Sequence, residues 1–169
     1  SFTPLDGLPM ATRPGAIDPG VLLYLLRHEG LSVAALEELL NHQSGLLALS
    51  ESSADMRQLL ADHRPQAQQA IDYFVHHCRR AIGSLTAVLG GLDALVFTAG
   101  IGEHAPTVRA AICETLGWLG IELDDEKNRA NEHLISAPGA RLPICVIATD
   151  EEQVIARHTR AQLAHPVDY

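Results

Sequence analysis

The sequence predicts an α/β fold with a small parallel sheet, and two observations carry that prediction. Two short apolar runs, 95–97 and 144–148, lack polar alternation and have the pattern of strands buried on both faces. Each run passes through a polar turn into a helical pattern, which begins at Pro106 after the first run and at Glu151 after the second. Because the carboxyl ends of parallel strands lie at one edge of a sheet, we expect both turns to face the same crevice.

The composition indicates one folded domain and excludes several functional classes. The chain has 169 residues, of which 47% are hydrophobic, so a disordered chain is excluded. The net charge of -9 and the lack of a basic run argue against a nucleic-acid-binding or anionic-membrane surface. No apolar run has transmembrane length, and no signal-peptide pattern is present. The three cysteines form no CxxC pair and lie in apolar stretches, which indicates reduced core thiols in a cytoplasmic protein.

Helical patterns occupy most of the remaining chain. The clearest runs from Ala67 to Leu89, where apolar residues recur at steps of three and four for about six turns, and we expect it to be the central core helix. Shorter helical patterns occupy 106–119 and 124–131, while the type of the apolar run 46–49 is open. The first helix, capped by Asp18, is expected to turn Val21, Leu22, Leu25 and Leu26 inward, and the last helix Val154, Ile155 and Leu163.

The first 17 residues are rich in proline and glycine and are predicted to be an extended connecting segment. The folded domain is then predicted to span residues 18–164. The sequence begins without a methionine and has the character of an internal stretch, so we expect the chain to be a piece of a longer protein.

The turn at 98–102 is the first candidate ligand site. Its two glycines, Gly100 and Gly102, let backbone N–H groups approach a bound group without a Cβ in the way. A strand, a glycine turn and a helix start in this order suit an anion, usually a nucleotide phosphate, although such turns are also ordinary α/β architecture. The expected convergence with the turn at 149–152 favours the phosphate site.

Phosphoryl transfer needs donors on the phosphates and a cation near the transferring group. Arg13, in a glycine-flanked loop, is either a phosphate-clamping cation or a solvated loop arginine. Asp55 and Arg57, at a loop-to-helix junction, either contact a nucleoside or serve as an N-cap and a surface charge.

The same chemistry needs carboxylates that hold a metal ion. Glu151 and Glu152 follow a buried strand and either bind a metal or complement the dipole of the helix that they open. Glu103, beside Gly102, carries the same ambiguity. The nine histidines show no metal-ligand spacing, and the adjacent pair at 76–77 points in different directions on its helix.

Taken together, these stretches resemble the C-terminal part of proteins of the acetokinase family, which includes acetate, propionate and butyrate kinases. The resemblance covers nearly the whole chain and is carried, in order, by Phe-Thr-Pro-Leu at 2–5, Met-Ala-Thr-Arg at 10–13, Asp-Pro-Gly at 18–20, Asp-Met-Arg at 55–57, Phe-Thr-Ala-Gly-Ile-Gly-Glu at 97–103, and Glu-Glu at 151–152 with Ile-Ala-Arg at 155–157.

The resemblance implies an ATP-dependent carboxylate kinase with a fold similar to actin, Hsp70 and the sugar kinases, a ribonuclease H-like architecture that is helix-rich with a small sheet. It implies ATP/ADP and Mg²⁺ as cofactors, acetate or another short-chain carboxylate as substrate, and a homodimer formed through this domain. It implies that Arg13 stabilises the transferring phosphoryl group and that Glu151 is a magnesium ligand. The positions that it assigns to the nucleotide are Asp55, Met56 and Arg57 beside the adenosine, and Gly100, Ile101, Gly102, Glu103 and His104 in the glycine turn.

The sequence also departs from the family pattern. His104 and Asp150 stand where the family usually has Asn, and Ala11 where Gly is common. The family's N-terminal domain, with a further metal-binding acid, a phosphate loop, and an Arg and a His near the phosphoryl group, has no counterpart in this sequence. We therefore expect the isolated chain to bind nucleotide without useful turnover. One alternative is a propionate or butyrate kinase of the same family. The other is a non-catalytic dimerisation domain, whose crevice is empty until an N-terminal partner closes it.

Overall fold

The structure, a computed structural model, describes residues 2–164, except for the side chains of Glu151 and Ala164. Five helices precede the first strand, namely α1 (Pro19–Arg27), α2 (Val33–His42), α3 (Gly45–Ser50), α4 (Met56–Ala61) and α5 (Pro65–Leu89). The strand β1 (Leu95–Phe97) is followed by α6 (Ala99–His104), α7 (Pro106–Cys113), a 3-10 turn (Gly117–Leu119), α8 (Asp125–Arg129), β2 (Ile144–Val146) and α9 (Glu151–Ala164).

The two strands pair in parallel, as the sequence predicts. Leu95 lies opposite Ile144, and Phe97 lies opposite Val146. The expectation that β1 is buried on both faces is wrong, because Val96 is 47% exposed. Side chains alternate between the faces of a strand, and only the face that carries Leu95 and Phe97 packs against the core.

The core gathers around the first half of α5, which packs against α3, α4 and α7. Its buried side chains are Ala67, Ala70, Ile71, Phe74, Val75 and Cys78. Leu85, Val88 and Leu89, near the other end, are exposed, so the prediction of a core helix is right only for the first half. Burial raises the pKa of Cys78 to about 11 and that of Cys113 to about 12, so both thiols stay protonated at neutral pH.

The apolar side chains that we expected to face inward on α1 and α9 are more exposed than the sequence predicts. In α1, Val21 is exposed, while Leu22, Leu25 and Leu26 are only partly buried. In α9, Val154, Ile155 and Leu163 are exposed. Helical periodicity identifies a face that can be buried, but burial needs another element against that face. α1 contacts α2, which covers its apolar side chains only in part, and the apolar side chains of α9 stay exposed. Among the residues that the structure describes, no helix is both long and apolar enough to cross a membrane.

The first 17 residues carry no helix or strand where they are described, but part of the segment packs against the domain, since Pro9 is buried whereas Phe2 is fully exposed. Segment 10–12 accepts hydrogen bonds from the start of α3: Ser44 N donates to Thr12 O, Leu46 N to Met10 O and Leu47 N to Ala11 O, at 2.9 to 3.0 Å. The apolar run 46–49 is therefore helical, and its first turn is capped by backbone from the N-terminal segment rather than by a side chain.

Candidate functional site

The turns that follow β1 and β2 meet in one cleft. The hydroxyl oxygens of Thr98 and Thr149 lie 2.8 Å apart, and the backbone N–H of Ala99 donates to the Thr149 hydroxyl at 3.0 Å. The cleft has a volume of about 510 Å³ and is lined by Ala99, Gly100, Glu103, Thr149, Asp150 and Glu152. The prediction that both turns face one crevice is confirmed.

Glu103 ties the two turns together. Its Oε1 accepts a hydrogen bond from the backbone N–H of Thr149 at 2.9 Å and from the Thr149 hydroxyl at 3.0 Å. The backbone hydrogen bond from Thr149 is the largest cause that lowers the pKa of Glu103 below its usual value. This carboxylate is therefore ionised at neutral pH and engaged within the site, so its role in the structure is to join the turns.

The other wall of the cleft carries the acidic residues Asp150 and Glu152, of the kind that bind Mg²⁺ in proteins. Asp150 caps α9 by accepting from the backbone N–H of Gln153 at 2.8 Å, and Glu152 lines the cleft. The side chain of Glu151 lies outside the description, so its role as a ligand stays a prediction. Among the described residues, no three acidic, histidine or cysteine side chains group closely enough to hold a metal. Because Mg²⁺ takes one or two carboxylates and completes its shell with water and phosphate oxygens, this donor set suits it.

The two glycines of the turn have different roles. The turn is itself the short helix α6, which Ala99 enters in the left-handed region with φ of 59°. A Cβ on Gly102 would lie 3.2 Å from the backbone carbon of Phe97, so this glycine lets the turn rest on β1. A Cβ on Gly100 would meet nothing within 4 Å. Of the two glycines, only Gly100 leaves its backbone open toward the cleft. His104, at the end of the turn, is exposed.

Arg109 supports this turn from below, and sequence reasoning missed it. Its side chain is completely buried, and each of its nitrogens donates to oxygen. Nη1 donates to the carbonyls of Gly102 and Glu103 at 2.8 and 3.0 Å. Nε donates to Asn128 Oδ1 at 2.8 Å, and Nη2 to Asn128 O at 2.8 Å and to Asn131 Oδ1 at 2.7 Å. The available signal is one charged residue between the buried positions 108 and 112 of α7.

The Asp55–Arg57 pair forms its own local structure and does not line the cleft. Asp55 caps α4 by accepting from Arg57 N at 2.9 Å, and Arg57 Nη2 lies 2.7 Å from Asp55 Oδ2. This hydrogen bond is the largest cause that lowers the pKa of Asp55. Met56 is buried in the core, while the Arg57 side chain is 82% exposed. Asp55 therefore has the capping role, and the exposed guanidinium of Arg57 remains accessible to a ligand.

Arg13 also lies away from the cleft walls. Its loop closes through a 3.0 Å hydrogen bond from Met10 N to Arg13 O. Its side chain is partly buried, and in the described part of the chain Nε is buried without a partner. Arg13 is therefore not the fully solvated loop arginine of the alternative interpretation.

Comparison with known proteins decides the family. The sequence profile of the Acetokinase family matches residues 1–157. The chain belongs to the acetokinase family. It is 51% identical over 162 residues to an acetate kinase of Nitrobacter hamburgensis, covering 96% of this chain and 40% of the relative. It is also 51% identical over 171 residues to an acetate kinase of Thermosynechococcus vestitus, covering 98% of this chain and 41% of the relative.

Solved acetokinase structures share the fold. The crystal structure of Porphyromonas gingivalis acetate kinase matches with a TM-score of 0.89 and 36% identity, over 95% of this chain and 42% of that one. A propionate kinase from Francisella tularensis matches with a TM-score of 0.85 and 41% identity, over 92% of this chain and 41% of that one. The ribonuclease H-like fold implied by the resemblance is thereby confirmed. This acetokinase chain spans about two fifths of the length of the relatives that it matches.

Proposed function

We propose that the chain is the nucleotide-binding part of a carboxylate kinase, which in complete form converts acetate and ATP to acetyl phosphate and ADP. The observation that carries this proposal is the meeting of the glycine turn and the turn at 149–152 in one cleft of an acetokinase chain. The acetate kinases among the relatives described above favour acetate, and one structural neighbour, a propionate kinase, makes propionate the alternative substrate.

In the complete reaction, a carboxylate oxygen of the substrate forms a bond to the γ-phosphorus of ATP. The bond from that phosphorus to the β–γ bridging oxygen breaks, and its electron pair leaves with ADP. We assign the open backbone at Gly100 to the phosphates, Asp55 and Arg57 to the adenosine, and Arg13 to the transferring phosphoryl group. Mg²⁺ bound beside Glu151 would neutralise charge on the phosphates.

The charges around the cleft favour a metal-bound nucleotide over a free one. Glu103, Asp150 and Glu152 line it, and the whole chain has a net charge of -9. A free nucleoside diphosphate would be repelled by these carboxylates, whereas its magnesium complex carries less negative charge. We therefore propose Mg·ADP and Mg·ATP as the ligands. As parts of the same proposal, the protein is cytoplasmic and acts as a homodimer, and this chain alone turns over little substrate.

A second candidate is a non-catalytic interaction domain, and one observation favours it. Leu85, Val88 and Leu89 on α5 and Val96 on β1 are exposed large apolar side chains. Such a surface suits contact with another chain or with a further part of the same protein. In this alternative, the chain dimerises tightly and its cleft binds no nucleotide.

A thermal melt of the 169-residue chain with and without Mg·ADP tests the proposal. A ligand that binds only the folded state stabilises it by mass action, by about 2.7 kcal/mol at 100 times Kd. We expect Mg·ADP to raise Tm, ADP with EDTA to raise it less, and Arg57→Ala to weaken the effect.

Arg64→Ala is the matched control, because Arg64 pairs with Asp62 in the way that Arg57 pairs with Asp55. Its Mg·ADP shift should equal that of the wild type, each variant being compared with its own ligand-free melt. No shift of the wild type at saturating Mg·ADP would overturn nucleotide binding by this chain. A tight dimer in sedimentation, together with that result, would establish the interaction domain instead.

A further inference from the structure

Arg109 is a completely buried cation, and its acceptors in the described part of the chain are all neutral oxygens. Burial of a charge is costly unless hydrogen bonds and partial charges compensate it, and arginine stays protonated in proteins. Five N–H···O contacts satisfy the donors, so the guanidinium is held in one orientation while its charge is not cancelled by a carboxylate.

The acceptors of Arg109 belong to two separate parts of the chain. The carbonyls of Gly102 and Glu103 belong to α6, the glycine turn, and the remaining acceptors lie on Asn128 and Asn131 at and beyond the end of α8. Asn128 Nδ2 also donates to the carbonyl of Pro106, at the start of α7, at 2.9 Å. The guanidinium therefore joins α6, α7 and α8 at a single point beneath the turn.

Each side of the turn is fixed by a different contact. Gly102 rests against the backbone of Phe97, and Glu103 binds Thr149 across the cleft. Arg109 holds the carbonyls at the far end of the turn. Of these three contacts, that of Arg109 brings a positive charge. The acids that line the cleft, Glu103, Asp150 and Glu152, carry the opposite charge.

We propose that Arg109 is a positioning residue that holds the turn Ala99–His104 in its nucleotide-binding geometry and offsets the negative charge of the cleft walls. This inference rests on the proposed nucleotide site and names a residue that supports it without touching the ligand. Both effects act on the phosphates, which lie against the turn, and neither acts on the adenosine. Loss of Arg109 therefore weakens Mg·ADP binding more than adenosine binding.

Two variants of Arg109 separate the charge from the geometry. Arg109→Lys keeps the positive charge but cannot span acceptors on both α6 and α8, because an ammonium lacks the planar fork. Arg109→Met removes the charge as well. Asn131→Gly removes one acceptor and suits the backbone there, where Asn131 has φ of 53°. Since this last change leaves Arg109 in place, it provides a milder variant if the substitutions at Arg109 prevent folding.

The matched control is Arg79, another arginine that donates to backbone carbonyls. It donates to the carbonyls of Ala111 and Ile112 at the end of α7 and to the carboxylate of Glu114, and none of these acceptors belongs to the glycine turn. Arg79→Lys therefore tests the general cost of replacing a carbonyl-bound arginine, without touching the glycine turn.

The experiment combines titration calorimetry with Mg·ADP and with adenosine and amide hydrogen exchange of residues 100–104. For Arg109→Lys we expect about tenfold or weaker Mg·ADP binding, the equivalent of one charge-assisted hydrogen bond. Adenosine binding should change by no more than about threefold. Exchange should accelerate at 100–104 and stay slow in the core part of α5. Asn131→Gly should show the same pattern to a smaller extent, and Arg79→Lys should leave 100–104 unchanged.

Two results would overturn the positioning role. One is unchanged exchange at 100–104 in both Arg109→Lys and Asn131→Gly, and the other is an equal loss of Mg·ADP and adenosine affinity, as general destabilisation would give. If the wild-type chain binds no Mg·ADP, the proposed function fails, and the exchange data alone then decide whether Arg109 holds the turn.

Discussion

The Glu103 carboxylate lies 2.9 Å from the backbone nitrogen of Thr149 and 3.0 Å from its hydroxyl oxygen, joining residues 46 positions apart in the sequence. The turns that follow β1 and β2 are therefore linked by a side chain as well as by the sheet. The second of these turns carries Asp150, which caps the start of α9. A nucleotide seated on the glycine turn would therefore meet the acidic turn in a fixed position.

The first prediction concerns the pH dependence of this link. Glu103 has a lowered pKa in the folded state, so its contribution to stability is present above the ordinary value of 4.5 and is lost as the pH falls through the folded value. We expect the wild type to melt above Glu103→Gln at neutral pH, and the difference in Tm to shrink as the pH falls below about 4.5. Thermal melts of both proteins between about pH 3 and about pH 7 measure it.

Glu152→Gln is the control for that series, because it removes an exposed acid of the same cleft and leaves the link intact. Its Tm difference from the wild type should vary less over the same range. A difference between wild type and Glu103→Gln that stays constant through the acidic range would show that the carboxylate charge does not stabilise the link.

How much of this site the sequence could predict depends on the range of the interactions. The glycine turn and the two apolar strands are local features, and each lies where the sequence places it, although the second strand ends at Val146 rather than at residue 148. Their convergence also follows, because a parallel sheet brings the carboxyl ends of its strands together. The separate roles of Gly100 and Gly102 do not follow, since they depend on which of them faces β1.

Arg109 shows why other features of the site could not be predicted from the sequence. In the sequence it is one charged residue within a helical stripe, and nothing local distinguishes it from a solvated arginine. Its burial follows from acceptors on Asn128 and Asn131, 19 and 22 residues further along the chain. The exposed side of β1 at Val96 has the same origin, because an apolar residue predicts a buried position only where another element covers it.

The second prediction separates the two glycines of the turn. Gly102→Ala places a Cβ 3.2 Å from the backbone of Phe97 and should cost about 1–3 kcal/mol of unfolding free energy. Gly100→Ala meets no atom within 4 Å and should keep the stability or raise it by up to about 1 kcal/mol, since alanine favours the helix. It should nevertheless weaken the Mg·ADP-induced shift in Tm. Urea unfolding and melts with ligand measure the pair, and equal stability of both variants would contradict the packing role of Gly102.

The third prediction compares the two halves of α5. Phe74 is buried in the core, so Phe74→Ala should destabilise the chain by about 3–5 kcal/mol through lost contacts and a residual cavity. Leu85 is exposed, so Leu85→Ala should change stability by no more than about 0.5 kcal/mol. Urea unfolding of each variant tests this. A large loss in Leu85→Ala would mean that this half of α5 is covered in solution, as the interaction-domain candidate requires, and sedimentation of the wild type would then identify a dimer.

The fourth prediction concerns Gly45, where α3 begins against the loop of Arg13. Gly45 has φ of 63°, and a Cβ there would lie 2.2 Å from Met10 O and 2.6 Å from Arg13 O. Gly30 has nearly the same backbone, with φ of 67°, but a Cβ on it would meet nothing within 4 Å. Gly30→Ala therefore measures the left-handed conformation alone, at about 1–2 kcal/mol. Gly45→Ala adds a steric conflict that no side-chain rotation can relieve, and it should cost roughly 3 kcal/mol or more.

The comparison also tests whether the N-terminal segment is part of the folded unit. If segment 10–13 separates from α3 in Gly45→Ala, its amides and those of Ser44, Leu46 and Leu47, which donate to it, should exchange rapidly. The core half of α5 should stay protected, because it also packs against α4 and α7. Equal costs for Gly45→Ala and Gly30→Ala would contradict this packing. They would show that the loop of Arg13 yields easily, and that Arg13 needs a further contact to keep it in place.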